Sequence, residues 1–188
     1  MIKTLNFLAI ICLSAFIGIN ANAQSIKPYN GPMPVPPANK NMLFYLQRTV
    51  DINTLIYEIN YKPDGRINKK KPVKIYWIDY NNGEKITPLT YVQNKLAYGI
   101  ESTEQEGPEP AFRINLVSYK KIKMYLRPSG KNGTYQAHIL INGKASLLTN
   151  ILINIVGGTY LKPVISFIEL VGKDIKTGEK LTEKIKPS

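Results

Sequence analysis

The 188-residue chain has one cysteine, Cys12, and one histidine, His138. Cys12 lies inside an apolar N-terminal run, so a chain processed after that run keeps no thiol. Disulfides, thiol catalysis and cysteine-ligated zinc are excluded together. A lone histidine needs a positioned partner to act as a base, and more than one good ligand to hold a metal. His138 shares a strand face with Leu140 and Asn142, opposite Ala137, Ile139 and Ile141, which suits an ordinary half-exposed strand side chain. No Gly-x-Ser-x-Gly elbow, phosphate loop, dinucleotide fingerprint or His-Glu-x-x-His is present. No metal site, cofactor or catalytic constellation is therefore expected. No segment keeps a convincing 3.6-residue apolar period, apart from room for a helical turn at Thr90–Leu96.

The one long apolar run stands at the start. Residues 1–23 read as a secretory signal peptide: Lys3 provides the positive start, Leu5 to Ile19 is almost unbroken apolar, and Ala21-Asn22-Ala23 is a small-x-small cleavage site. The run is short for a membrane span and has no stop-transfer flank. Cys12 sits within the apolar core behind Ile10 and Ile11, the wrong place for lipidation. The expectation is export through the secretory pathway to the periplasm, cell surface or medium, with no transmembrane segment in the mature chain.

Charge is one-sided. Lys and Arg number 25 against 13 Asp and Glu, a formal net charge of +12, which favours anionic partners such as lipid head groups or acidic glycans. The basic residues are scattered, with short clusters at Lys69–Lys71 and Lys120–Lys123, and a solubility role accounts for them equally. Nucleic acid is not expected, because no basic face interleaved with stacking aromatics is visible. Glu101, Glu104, Glu106 and Glu109 form an acidic stretch that reads as a solvated loop.

Residues 24–41 hold five prolines and little apolar matter, an extended linker or wrapping arm. Residues 42–188 form one β domain in this reading. Ile122, Met124 and Leu126 alternate with Lys121, Lys123, Tyr125 and Arg127, and similar period-two patterns run through 112–116 and 151–155. Asp64-Gly65, Asn82-Gly83, Asn132-Gly133 and Asn142-Gly143 are hairpin turn signals. Strands are expected at 42–49, 53–61, 73–80, 86–92, 96–102, 111–118, 121–127, 134–142, 144–156 and 160–172, with an edge hairpin over 175–186. The fold class is all-β: a single antiparallel β-barrel or barrel-like sandwich of about 8–10 strands, with a calycin-like barrel as the leading form.

Two charges stand on apolar strand faces: Arg48 with Phe44 and Leu46, and Glu169 with Ile165, Phe167 and Val171. A buried lone charge must pair or neutralise. An Arg48–Glu169 ion pair would set the first and last strands side by side and close a barrel. The alternatives are exposure of each near a strand end, or a Glu169–Arg113 contact. Twelve tyrosines, five phenylalanines and one tryptophan exceed what core filling needs. Trp77 and Tyr57 are accordingly candidates for lining an aromatic cavity, with ordinary sheet packing as the rival account. Glu169 is the sole candidate catalytic carboxylate, and structural pairing explains it better.

The blocks Asn41–Arg48 (NMLFYLQR), Asn53–Asn60 (NTLIYEIN), Pro72–Ile78 (PVKIYWI), Leu96–Ile100 (LAYGI) and Ile168–Asp174 (IELVGKD) resemble an uncharacterised bacterial secreted family, domain of unknown function 4833. The resemblance covers nearly all of residues 40–180 and implies one domain behind a signal peptide, with no known activity. It singles out Gln47, Arg48, Asn53, Trp77, Tyr98, Gly99 and Glu169, and so adds Gln47 and Tyr98 to Trp77 and Tyr57 as candidate ligand-binding residues. A lipocalin-like analogy is fold-level only, since the Gly-x-Trp signature of the first lipocalin strand is missing. The functional expectation is an exported, non-enzymatic binding protein for an apolar or amphiphilic small molecule or a cell-envelope component. The alternative is a basic envelope protein docking on anionic polymer or lipid, and the third reading is a hydrolase using Glu169.

Overall fold

A computed structural model describes residues 25–129, 133–159 and 162–187. The leader expected over 1–23 lies outside the described residues. Eleven strands form one sheet among them: β1 Met42–Arg48, β2 Thr54–Ile59, β3 Val73–Asp79, β4 Lys85–Pro88, β5 Ile100–Gln105, β6 Ala111–Leu116, β7 Tyr119–Ser129, β8 Thr134–Ile141, β9 Lys144–Gly158, β10 Pro163–Asp174 and β11 Lys180–Ile185. The one α-helix among the described residues, α1, spans Tyr91–Leu96. It starts on a capping box, in which Thr90 Oγ1 accepts from the Gln93 backbone N–H and the Gln93 side chain accepts from that of Thr90. No helix among the described residues is long and apolar enough to cross a membrane.

The organising element is the 15-residue strand β9. Its first residues pair with β8 (His138 with Leu147, Ile141 with Lys144), and its middle pairs with β1 (Tyr45 with Asn150, Arg48 with Ile153). β10 pairs along Ser146 to Gly158, so β8 and β1 must share the opposite edge. Two wings leave that edge, β1-β2-β3-β4 and β8-β7-β6-β5, and the right-handed twist of strands curls them toward each other. The result is a curled half-barrel, not the closed calycin-like barrel expected from the sequence. The two wings end on β4 and β5, which do not pair. The sheet is also not wholly antiparallel, because β1 runs parallel to β9. β1 and β10 flank β9 rather than each other, and a strand occupied on both edges leaves them no pairing in common.

The core lies inside the curl. Phe44, Leu46, Leu55, Tyr57, Phe112, Ile114, Met124, Leu126, Ile141, Ile151 and Leu170 are all nearly sealed from solvent. Each such large apolar side chain contributes roughly 1.5–3 kcal/mol through burial. Phe44 and Tyr57 stack with ring centroids 4.4 Å apart. The Asn142-Gly143 hairpin holds both residues at positive φ (49° and 75°), the conformation that an Asn-Gly pair tolerates best.

The expected strand at 86–92 ends at Pro88 and gives way to α1. The strand expected at 96–102 begins instead at Ile100 and runs to Gln105, so Glu101 and Glu104 belong to a strand and not to a solvated loop. These two pair with Lys120 (2.8 Å) and Lys69 (2.6 Å). The proline-rich stretch after residue 24 lies across the outside of the sheet. Ile26 is buried and donates to the Gly158 carbonyl (3.0 Å), and Tyr29 N–H donates to the Thr49 carbonyl (2.6 Å). Asn39 donates to Glu58, which also accepts from Tyr76 Oη (2.6 Å). This outer face carries a second small cluster of Ile56, Tyr76 and Ile78.

Candidate functional site

Arg48 ends β1 with its side chain on the core face, in a row with Ile153 of β9 and Ile168 of β10. Its guanidinium donates from Nη1 to Tyr98 Oη (2.5 Å) and from Nη2 to Asp51 Oδ2 (2.6 Å). The same group lies over the rings of Trp77 (4.8 Å) and Tyr98 (5.3 Å), a cation–π arrangement that desolvation strengthens. Trp77 and Tyr98 meet edge to face, with centroids 5.4 Å apart. Tyr57 Oη donates to the Tyr98 carbonyl (2.9 Å), and burial, followed by the neighbouring Tyr98 hydroxyl, pushes the Tyr57 phenol well above the usual range.

Tyr98 is held in turn by a backbone constraint. Any side chain at Gly99 would strike the carbonyl of Asn94 in α1. Gly99 thus lets α1 pack directly on the strand that follows it, while its own carbonyl accepts from Val117 N–H (2.9 Å).

Beside Arg48 the ends of β1, β3, β4 and α1 border an open cavity of about 200 Å³ lined by Arg48, Asn53, Trp77, Asp79, Thr87 and Gln93. Trp77 Nε1 donates weakly to Gln93 Oε1 (3.4 Å). Asp79 Oδ2 accepts from Asn82 Nδ2 (2.6 Å), while Asp79 Oδ1 and Arg48 Nε are buried without a hydrogen-bond partner. Burial raises the Asp51 carboxyl above its ordinary value; Arg48 and the Asn53 N–H pull it down, and Asp79 adds a smaller upward push. Asn53 Oδ1 accepts from the Tyr80 N–H (2.9 Å) and ties the β1–β2 turn to the end of β3.

The structure therefore gathers Arg48, Asn53, Trp77, Tyr57, Tyr98 and Gly99 at one end of the half-barrel. Gln47 and Glu169 lie elsewhere. They share a row through Leu152 on the outer face, opposite Arg48. Gln47 Nε2 donates to the Pro34 carbonyl (2.6 Å) and to Thr54 Oγ1 (3.0 Å), so it anchors the N-terminal stretch rather than lining a cavity. Glu169 faces Lys184 of β11 at 3.8 Å. The expected Arg48–Glu169 pair is not formed, and pleat parity explains it. Register shifts between Val164 and Phe167 switch the face of β10, so Ile168 and Leu170 point inward and Glu169 outward. Asp51, Asp79 and Gln93 were missed in the sequence. Only Gln93 had a readable signal, as the fourth residue of the Thr90-x-x-Gln cap.

A second concavity lies away from this cluster. An open groove of about 730 Å³ runs along β7, β8 and the β10–β11 hairpin, with Lys123, Tyr125, Arg127, His138, Leu140 and Ile185 among its walls. Leu140 is 64% and Ile175 46% exposed, so its apolar wall is open to solvent. Burial, with help from Arg127, pushes the His138 imidazole below its ordinary range, and His138 Nε2 is buried without a hydrogen-bond partner.

Comparison with curated proteins and with solved structures returns no match. The model of one protein family, described as domain of unknown function DUF4833, matches residues 44–184, which hold the Arg48 cluster and all of the groove's lining but Ile185; the chain belongs to that family.

Proposed function

We propose that the protein is an exported, non-enzymatic binding protein that holds an amphiphile with an acidic head group in the groove between β7–β8 and β10–β11. The observation that carries this reading is the groove's composition: apolar Leu140, Ile175 and Ile185 stand beside the cationic Lys121, Lys123 and Arg127 in about 730 Å³, while the carboxylate on its wall, Glu183, accepts from the Asn142 N–H (2.6 Å). An apolar tail on that wall gains about 0.8 kcal/mol for each methylene it buries, and the cations orient the head. Export rests on the leader pattern of residues 1–23.

Titration calorimetry with a long-chain fatty acid tests the reading. Expected are saturable binding, a negative heat-capacity change and weakening as salt rises. Leu140→Glu removes the apolar wall and should abolish binding. No heat and no thermal shift across fatty acids, isoprenoid phosphates and aromatic acids would overturn it. Equal binding of a tail-less polyanion, without a heat-capacity change, would transfer the function to docking on anionic envelope polymer.

A further inference from the structure

We propose that the Arg48 cavity is a second binding site, for a neutral polyhydroxylated ring of about one sugar unit. The argument starts from two buried atoms on side chains that line it. Asp79 Oδ1 is an acceptor without a donor, and Arg48 Nε is a donor without an acceptor. Buried polar groups in folded proteins are nearly always satisfied, so two of opposite type on one small cavity call for a common partner.

Charge narrows the chemistry. Arg48 is already neutralised by Asp51 at 2.6 Å, which leaves the Asp79 carboxylate as the excess charge. An anion would meet that carboxylate. A cation would satisfy Asp79 but offer nothing to Arg48 Nε. A hydroxyl both donates and accepts, so two adjacent hydroxyls answer Asp79 and Arg48 together. Asn53, Thr87 and Gln93 add further planar amide and hydroxyl partners, and about 200 Å³ admits one ring rather than a chain.

Both atoms are sealed from solvent, so contact requires one wall to yield. That wall is the Gln93 side chain, whose tie to Trp77 is 3.4 Å long, while the backbone of α1 stays packed on Gly99. Gln93 is thus the residue that a ring displaces from Trp77.

Trp77 is the only tryptophan in the chain and lines this cavity, not the groove. Its emission therefore separates the two sites. The full mature chain is titrated with glucose, galactose, mannose, N-acetylglucosamine and inositol, with short oligosaccharides ending in those sugars, and with glucuronate and inorganic phosphate, while Trp77 emission and saturation-transfer NMR are recorded. Expected is a saturable emission change with at least one of the neutral probes. Binding of the oligosaccharide but not the free sugar assigns the site to the end of a glycan; binding of both assigns it to the ring itself. Asp79→Asn keeps the shape, and removal of the charged acceptor should weaken binding about tenfold or more. Leu140→Glu, in the groove, should leave it unchanged. No saturable response to any probe overturns the proposal. So does an Asp79→Asn protein that is folded by circular dichroism and binds as well as the parent, or a response confined to glucuronate or inorganic phosphate.

Discussion

The two concavities differ in how they are made. The groove is built largely from neighbouring strands, with Tyr125 of β7 paired directly to His138 of β8, and it mixes apolar wall with exposed cations. The Arg48 cavity is built from strand ends far apart in sequence, and Arg48 reaches Tyr98 across 50 residues. The first is a surface of strand faces with exposed apolar side chains such as Leu140 and Ile175. The second is a set of buried charges and aromatic rings whose positions depend on one another. Surfaces of the first kind tolerate substitution, whereas clusters of the second kind lose stability when one member is removed.

The largest expected difference follows from that contrast. Arg48→Ala leaves Asp51 without its cation in a half-buried site and should cost about 3–5 kcal/mol in denaturant unfolding. Glu169→Ala, on the outer face beside Lys184, should cost less than about 0.5 kcal/mol. Their effects should add, since the two side chains are on opposite faces of the sheet. A coupling above about 1 kcal/mol between them would restore the ion pair that the structure does not form.

Next in size is Gly99→Ala, which forces α1 off the strand and should cost about 1–3 kcal/mol. It should also shift Trp77 emission, because Tyr98 and Gln93 both touch the indole. An unchanged melting temperature would mean that α1 moves away freely and is not part of the cluster.

The smallest effect separates the regions by pH. Asp51 has a folded pKa above its ordinary 3.8, so the native state binds more protons in the window just above 3.8, and stability there falls as pH rises. His138 has a folded pKa below 6.5, so the unfolded state binds more protons in the window just below 6.5, and stability there rises with pH. Thermal melts across both windows should show these opposite slopes, with Asp51→Asn flattening the lower one and His138→Gln the upper. A lower slope that survives Asp51→Asn would assign it to another carboxyl.

Local chemistry was enough for much of the fold. Period-two alternation marked β6 to β9, and Asn142-Gly143 marked the tightest hairpin, because both depend on residues within a few positions of each other. The gathering of Trp77, Tyr98 and Arg48 was half legible, through blocks of sequence that resemble one family, but their common end of the sheet was not. Asp51 and Asp79 carried no signal, since a carboxylate in a loop or at a strand end looks the same whether it is solvated or enclosed.

By itself the sequence determined an all-β chain without thiols after Cys12, its hairpins and most of its strand faces. Tertiary structure decided what needs distant partners. The length of β9 lets one edge serve both β8 and β1, so the sheet curls without closing. The irregular pairing of β10 before Ile168 reverses its faces, which sends Glu169 outward and leaves Arg48 to Asp51 and Tyr98. A period of two says which residues share a face only while the register is unbroken, and it does not say which strand lies alongside.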